Sequence, residues 1–538
     1  MKSSFNISQS WVLPLSIAFL LIPILIIEFQ TLNYTKGNFV YPLDDTFIQM
    51  AIAKNIALHH VWGITAYSFS SSSSSLLYPL LLASFFLITG PNTLIPFIIN
   101  LISGIILLVV MKNWLQKNEM NPIQQLLLLL CVVLLVPLPV IIIIGMEHTL
   151  QILFCFLFIT TFTTWISEMS NTGQSDWRIP TNLYLFGIIA TSLRYEGMFL
   201  IGVACLILVY HGKWRLSLTL GLISMLPILF FGIYSTYKGS YFFPNSVLLK
   251  AVSDPNNSST FKLIFDGIFT RFYYASPSSS IQVLERLLLL LPTVYLLFSK
   301  SIEQEKKYSY LLIFLTMAIL FHLSLSKSTW LFRYESYLLA SSVIAVGLLI
   351  TKYGRPAFLQ QTVSSRYIAL LAMVSFFTPI YFRAVQAFSV TGGASGNVYE
   401  QELQAGSFLH KYYDSSSIII NDIGAMSFYT SGKKTDLMGL GSIEVARATR
   451  NHYLTPTFID SLSRKEKVSI AAISNIWDER FFPKWKKIAI WHNNNEEVFG
   501  NTEIWFYAVD TTQGPELRKH VIDFAPLLPP GVSTILIR

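Results

Sequence analysis

The sequence predicts an α-helical, polytopic membrane protein that ends in a soluble α/β domain. Three observations carry that prediction. Hydrophobic residues make up 53% of the 538-residue chain and charged ones only 13%, against about 25% charged in a soluble globular protein. Mean hydropathy is +0.52. Apolar stretches of membrane-spanning length recur as far as residue 388 and then stop.

A spanning helix needs about 20 apolar residues, with a range of about 17–25. By that measure spans are expected at 11–29, 75–90, 94–112, 123–144, 146–166, 181–193, 196–211, 215–237, 283–299, 308–325, 334–351 and 366–388. Allowing for the short ones, that is about 10–12 transmembrane helices. Residues 11–27 have the length of a signal-peptide core, but no small-residue cleavage site follows. Ile26-Ile27-Glu28-Phe29-Gln30 reads instead as an uncleaved anchor.

Lysine and arginine set the orientation. The loops 112–122 (Lys112, Lys117), 211–215 (Lys213, Arg215), 299–307 (Lys300, Lys306, Lys307) and 351–366 (Lys352, Arg355, Arg366) are short and basic, so they are expected in the cytoplasm. They also account for much of the net charge of +8, which therefore does not point to nucleic acid. The loop 30–74 then becomes the first extracytoplasmic loop, joined outside by 145–149, 194–197, 238–282 and 326–333. With that parity 75–90 and 94–112 cannot both cross, so the short segment 75–90 is expected to be re-entrant or partly buried. Cys131, Cys155 and Cys205 all lie in apolar spans without metal-ligand spacing and read as packed small hydrophobes.

After the transmembrane domain, 1–388, the pattern changes. Residues 389–538 carry more charge, no span, and strand-like runs at 417–421 and 468–473. That is a separate domain of roughly 150 residues, expected to be α/β and extracytoplasmic.

The polar residues near the spans fall on one face under this orientation. Asp44 and Asp45 follow the first span and lead into an amphipathic run. Glu147 and His148 stand in Gly145-Met146-Glu147-His148, Arg194 and Glu196 in Arg194-Tyr195-Glu196-Gly197. Lys250 closes the stretch that begins Phe242-Phe243-Pro244-Asn245, and Arg333 and Glu335 belong to Phe332-Arg333-Tyr334-Glu335. Carboxylates near lipid are costly and ask for a reason. Acids beside cations suit transfer of a group from a lipid phosphate: a carboxylate takes the proton of an acceptor hydroxyl while arginine or lysine holds the phosphate as charge develops. Each residue also has a plainer reading. Glu147 can cap a helix, Arg194 can pair with Glu196, and Lys250 and Arg333 can snorkel to the headgroups. The serine run 70–75 reads first as a flexible loop. A proton-coupled transporter would place charges at the midplane of repeated halves, and no internal repeat is visible.

Taken in order, these motifs resemble the GT-C glycosyltransferases, and within them the bacterial arabinofuranosyltransferase and mannosyltransferase-like branch. The resemblance rests on Asp44-Asp45-Thr46-Phe47-Ile48, Ala53-Lys54-Asn55, Ser74-Ser75-Leu76-Leu77-Tyr78, Gly145-Met146-Glu147-His148, Arg194-Tyr195-Glu196-Gly197 and Pro244-Asn245-Ser246 with Lys250. It continues in Asn421-Asp422-Ile423-Gly424-Ala425 and Asp436-Leu437-Met438-Gly439-Leu440. The chain departs from the branch in having a serine run in place of Thr-Ser-Pro-Leu and Gly-Met-Glu-His in place of Gly-Leu-Glu-Thr.

The resemblance implies a GT-C-like integral membrane glycosyltransferase of the cell envelope. It would move a sugar, with inversion, from a polyprenyl-phosphate donor to an extracytoplasmic glycan, lipid or protein. It implies Asp44 and Asp45 as the catalytic pair, and Arg194, Lys250 and Arg333 as ligands of the donor phosphate. Glu147, His148, Glu196, Asn245 and Glu335 would shape the site or meet the acceptor. Some relatives bind a divalent cation, so magnesium or manganese is expected as a cofactor, with Asp45, Glu147 and His148 as its candidate ligands. The expected location is the bacterial inner membrane, with the site on the extracytoplasmic face. The rival reading is a lipid-linked glycan transporter or a non-catalytic envelope-assembly protein.

Overall fold

The computed structural model describes residues 7–172, 177–249, 305–326, 330–354, 363–482, 484–494 and 502–538. Long apolar runs become long helices because only an intra-segment hydrogen-bond ladder satisfies the backbone in lipid. Helices α1 (Gln9–Tyr34), α4 (Ile95–Lys117), α7 (His148–Thr172), α10 (Trp214–Tyr237), α12 (Lys306–Leu325) and α13 (Ser336–Leu349, continued as a π-turn through Gly354) are long and apolar enough to cross a membrane. Helices α5 (Pro122–Leu135) and α6 (Leu138–Ile144) form one further span, bent by 48°. The bend falls where Pro137 cannot continue the ladder. Asn121 and Gln124 close a reciprocal capping box at the start of α5, with Pro122 at its first turn. Helices α3 (Leu77–Thr89), α8 (Thr181–Leu193) and α9 (Gly197–Tyr210) are apolar but shorter. The expected span 283–299 lies outside the described residues.

The polar residues of this bundle sort to its two ends. At one, Lys307 and Tyr308 both donate to Asn118 Oδ1 (2.9 and 3.1 Å), Tyr310 bonds His211 (2.8 Å), and Lys352 reaches Tyr308 (3.3 Å). These are the basic loops. At the other, Thr46 donates to the carbonyl of Ile144 (2.6 Å), and Arg194 meets Glu147 (2.8 Å). Helix α7, whose 25 residues measure about 37 Å, runs from the second end to the first, where Lys306 reaches the Ser170 carbonyl (3.4 Å). Both flanks of α3 lie at the second end. The Leu76 amide donates to the Ser192 carbonyl (2.8 Å), and Tyr41 donates to the Thr93 carbonyl (2.5 Å). Helix α3 therefore stays at that end, and the parity of the crossings is restored.

Helix α14 (Val363–Val398) runs on past the bundle without a break at residue 388, through a π-turn at Tyr399–Leu403, into α15 (Gln404–Tyr413). Beyond it lies a six-stranded sheet, ordered β2-β1-β3-β5-β4-β6. Its strands are β1 (Ile418–Ile420), β2 (Lys434–Asp436), β3 (Ile470–Ser474), β4 (Lys486–Asn493), β5 (Glu503–Ala508) and β6 (Val532–Leu536). β2, β1 and β3 pair parallel, and the rest pair antiparallel. β1 and β3 are buried along their whole length, as strands covered on both faces must be.

Helix α2 (Asp44–His59) joins the two parts. The sequence suggests an amphipathic run here, with one solvated face. Instead its residues from Thr46 to Ala53 are all buried. Ile48 and Ile52 enter the core of the sheet domain with Phe408, Ile418 and Ile420. Phe47, Met50 and Ala51 pack with Tyr78, Leu82 and Phe86 of α3 on the other side. The helix is clamped between bundle and sheet domain, and this fixes the position of the acid pair at its first turn.

Candidate functional site

The two adjacent acids face different partners. Both carboxylate oxygens of Asp44 accept backbone N–H groups of the sheet domain, Oδ2 from Gly424 and Oδ1 from Ala425, each at 2.7 Å. Asp44 thereby caps α16 (Ala425–Tyr429), whose first amides have no acceptor within the helix. A Cβ on Gly424 would collide with the Asp44 carboxyl and backbone, so only glycine fits there. Burial raises the Asp44 carboxyl above its ordinary range, and the nearby charge of Asp422 adds to the effect. Burial and the charge of Asp436 likewise raise Asp422, while burial carries Asp436 to about 7. Lys54, ten residues along α2, donates to the carbonyls of Ser427 (3.4 Å), Phe428 and Thr430 (3.4 Å), and burial lowers it to about 8.

Asp45 turns toward the bundle and forms an ion pair with Arg333 Nη2. Its side chain keeps 28% of its exposure, whereas that of Arg333 keeps 4%. Arg333 is held in a break between α12 and α13. There Leu331 (φ +58°) and Phe332 (φ +51°) both adopt the left-handed region, a strained choice for residues with a Cβ. The Nε and Nη1 atoms of Arg333 are buried and have no hydrogen-bond partner among the described residues.

Arg194 is fully occupied by comparison. Its Nε and Nη2 donate to the two oxygens of Glu196 (3.0 and 2.9 Å), and its Nη1 to Glu147 (2.8 Å) and Ser74 (3.2 Å). The ring of Tyr334 lies between the charged groups, 4.3 Å from the Arg194 guanidinium, 5.3 Å from that of Arg333, and stacked with His148 at 5.8 Å. Such cation–π contacts are worth more in a desolvated site. His148 is fully buried, and both its ring nitrogens lack a partner among the described residues.

The structure thus brings together Asp45, Arg333, Arg194, Glu147, Glu196 and His148. Glu335 stands one residue beyond Tyr334 and turns to Arg383 of α14 (3.2 Å), which also donates to the Phe332 carbonyl. Asn245, at the start of the short helix α11 (Asn245–Leu248), donates its side-chain amide to the Leu440 carbonyl of the sheet domain (3.2 Å). Lys250 lies outside the described residues. The serine run is a correction: Ser70–Ser73 and Ser75 are buried. Ser73 donates to Gln49 (2.8 Å), Ser74 accepts from Arg194, and Ser75 caps the Tyr78 amide (3.1 Å). Small hydroxyls are needed here because the run packs against α2 and Arg194, not because it flexes. Among the described residues no three His, Cys, Asp or Glu side chains gather closely enough to hold a metal ion. Asp45 and Glu147 are each engaged by an arginine instead. Sequence reasoning missed Tyr334 and Arg383 as parts of the site. The arginine-bearing motif at 332–335 was visible, but nothing marked its aromatic as the residue between the cations.

A protein-family profile described as "Domain of unknown function (DUF8728)" matches residues 396–507. No curated protein sequence matches the chain. Among solved structures, ArnT from Cupriavidus metallidurans bound to undecaprenyl phosphate is 12% identical with a TM-score of 0.51, and the match covers 94% of this chain and 98% of that one. The Archaeoglobus fulgidus oligosaccharyltransferase in its apo form is 11% identical with a TM-score of 0.46, covering 90% and 74%. The ArnT likeness shows the fold. The chain has the fold of ArnT, a helical integral membrane protein with a sheet-containing C-terminal domain.

Proposed function

We propose that this protein is a glycosyltransferase that takes a sugar from a polyprenyl-phosphate donor at the end of the bundle that holds Asp45. The observation that carries the reading is Arg333. It is buried, pairs with Asp45 through Nη2, and leaves Nε and Nη1 without partners among the described residues. A guanidinium half-used in this way suits a phosphate that arrives with its own charge. The solved structure of ArnT, which shares this fold, is bound to undecaprenyl phosphate.

Asp45 is the base in this scheme because Asp44 is committed to the Gly424 and Ala425 amides. The Asp45 carboxylate takes the proton of an acceptor hydroxyl. The hydroxyl oxygen bonds to the anomeric carbon from the face opposite the phosphate. The bond from that carbon to the phosphate oxygen breaks, and the polyprenyl phosphate leaves with its electron pair, its charge held by Arg333. One displacement inverts the anomeric centre. Arg194, bound to two carboxylates, positions Tyr334 and the start of α7 rather than meeting the phosphate. The basic loops at the opposite end support, by the positive-inside rule, a site on the extracytoplasmic face, with a glycan, lipid or protein hydroxyl as acceptor.

The test uses the purified full-length protein in lipid nanodiscs with a panel of radiolabelled undecaprenyl- and decaprenyl-phosphate pentoses and hexoses. At least one donor should release free polyprenyl phosphate, and Asp45→Asn should stop the release. A wild type that releases none, or an Asp45→Asn protein that releases as much, overturns the reading. In sealed proteoliposomes, movement of intact label across the bilayer would instead support a transporter.

A further inference from the structure

Beside the charged cluster is a second, neutral set of polar groups. Trp62, Ser71, Tyr195, Asn245 and Ser246 come from three separate segments. Their Nε1, Oγ, OH, Oδ1 and Oγ atoms are all buried and lack a hydrogen-bond partner among the described residues. Tyr195 and Ser246 keep 6% and 7% of their exposure, Asn245 1% and Ser71 none. Backbone bonds fold the first segment on itself and tie it to the third. The Asn245 amide donates to the Ser71 carbonyl (2.8 Å), and the Ser70 amide to the Trp62 carbonyl (2.9 Å). Tyr195 belongs to one apolar patch with Leu76, Ile228 and Phe231, against which Trp62 and Val247, the neighbour of Ser246, pack. The Trp62 ring lies 5.0 Å from that of Phe231.

Native proteins pair nearly all their buried polar atoms, so a local group of unpaired ones asks for an absent partner. In the serine run Ser70, Ser72, Ser73, Ser74 and Ser75 all have side-chain hydrogen bonds, which leaves Ser71 as the orphan. The unpaired set has no charge. It offers an indole donor, an amide acceptor and three hydroxyls able to do either, beside aromatic rings and aliphatic side chains. That combination fits a neutral ring bearing several hydroxyls with one apolar face, and it suits neither a phosphate nor a hydrocarbon tail. Its position also fits. Tyr195 follows Arg194 in the chain, and Ser71 lies three residues before Ser74, to which Arg194 donates.

We infer that Trp62, Ser71, Tyr195, Asn245 and Ser246 form a subsite for a neutral glycosyl ring, next to the phosphate end of the site at Arg333. This rests on the transferase reading for its place in a reaction but not for the binding itself. The ring belongs either to the lipid-phosphate donor or to the acceptor.

Saturation-transfer NMR on the full-length protein in nanodiscs tests it, with methyl glycosides of arabinofuranose, mannose, galactose and glucose as probes and farnesyl phosphate as the ring-free probe. At least one methyl glycoside should bind wild type. Tyr195→Phe, Ser71→Ala and Ser246→Ala should each weaken it about fivefold, the loss expected for one neutral hydrogen bond. If these hydroxyls serve no ligand, deleting them is neutral or stabilising and leaves binding untouched. Thermal unfolding of each variant checks that it is folded. No glycoside binding to wild type, or equal binding to wild type and all three variants, overturns the subsite. Displacement of the methyl glycoside by the matching farnesyl-phosphoryl glycoside assigns the ring to the donor, and simultaneous binding assigns it to the acceptor. Farnesyl phosphate binding that ignores Arg333→Gln would count against the transferase reading alone, whatever the glycosides do.

Discussion

Asp44 and Lys54 stand ten residues apart on one helix and cap opposite ends of another. Asp44 accepts the Gly424 and Ala425 amides at the start of Ala425–Tyr429, and Lys54 donates to the carbonyls at its end. Each side chain matches the helix end it meets, an oxygen acceptor at the free amides of the N-terminus and an ammonium donor at the free carbonyls of the C-terminus. The acid pair is therefore divided in labour. Asp44 fastens the sheet domain to the bundle, while Asp45 faces the cation Arg333.

This division predicts different failures for the two acids. Asp44→Ala leaves two buried amides without acceptors and removes a cap, a loss of about 1–2 kcal/mol or more. Its mutant should melt earlier by differential scanning fluorimetry and show faster hydrogen exchange over 424–429. Asp45→Asn keeps an acceptor oxygen for Arg333, should leave exchange over 424–429 unchanged, and should lose about 10²–10⁴-fold in turnover. A normally stable Asp44→Ala protein would refute the fastening role.

Gly424→Ala makes the same point from the other side of the contact. The new methyl has no room against Asp44, so the helix must back away and both amide bonds lengthen. An overpacking cost of about 1–3 kcal/mol is expected, read as exchange in 424–429 and in the first turn of α2 together. An effect confined to the sheet domain would be inconsistent with a shared interface.

The two arginines should also part company. Arg194 neutralises Glu147 and Glu196 in a site where its own side chain keeps only 4% exposure. Its replacement by glutamine strands two buried carboxylates, at about 3–5 kcal/mol, and should lower yield and melting temperature. Arg333→Gln removes one partner of the partly exposed Asp45. It should fold, and lose about 10²–10³-fold in kcat/KM for the lipid-phosphate donor. Equal loss of stability in both variants would show that Arg333 is as structural as Arg194.

Much of this was open to sequence reading where the signal is local. The apolar runs at 146–166 and 308–325 became α7 and α12, and 417–421 and 468–473 became β1 and β3, because twenty-residue apolar runs and short β-branched runs specify their own backbone. What stayed hidden depends on partners distant in the chain. Asp44 meets amides 380 residues away, and Arg333 reaches Asp45 across 288. The serine run looks flexible by composition, because nothing nearby announces that Gln49 and Arg194 will occupy its hydroxyls. The same distance effect made α2 look amphipathic, since its second apolar partner is the sheet domain.

The buried acids at the junction give the fastening a pH dependence of definite sign. Asp44, Asp422 and Asp436 are all raised by burial above the ordinary aspartate value of 3.8, Asp436 to about 7. An acid raised in the folded state holds its proton there while the unfolded chain has lost it. Its contribution is therefore complete below about pH 4 and is lost as the pH rises toward 7. Lys54 and Lys434, lowered by burial to about 8 and about 7, act in the opposite sense, but only as the pH climbs through those values. Between pH 4.5 and 6.5 the acids decide. Protection of the 424–429 amides, corrected for intrinsic exchange rates, should fall on the order of tenfold across that window, and Asp436→Asn should flatten the fall. Protection that rises over the same range would mean that these carboxyls are ionised in the folded protein and that their amide bonds outweigh burial.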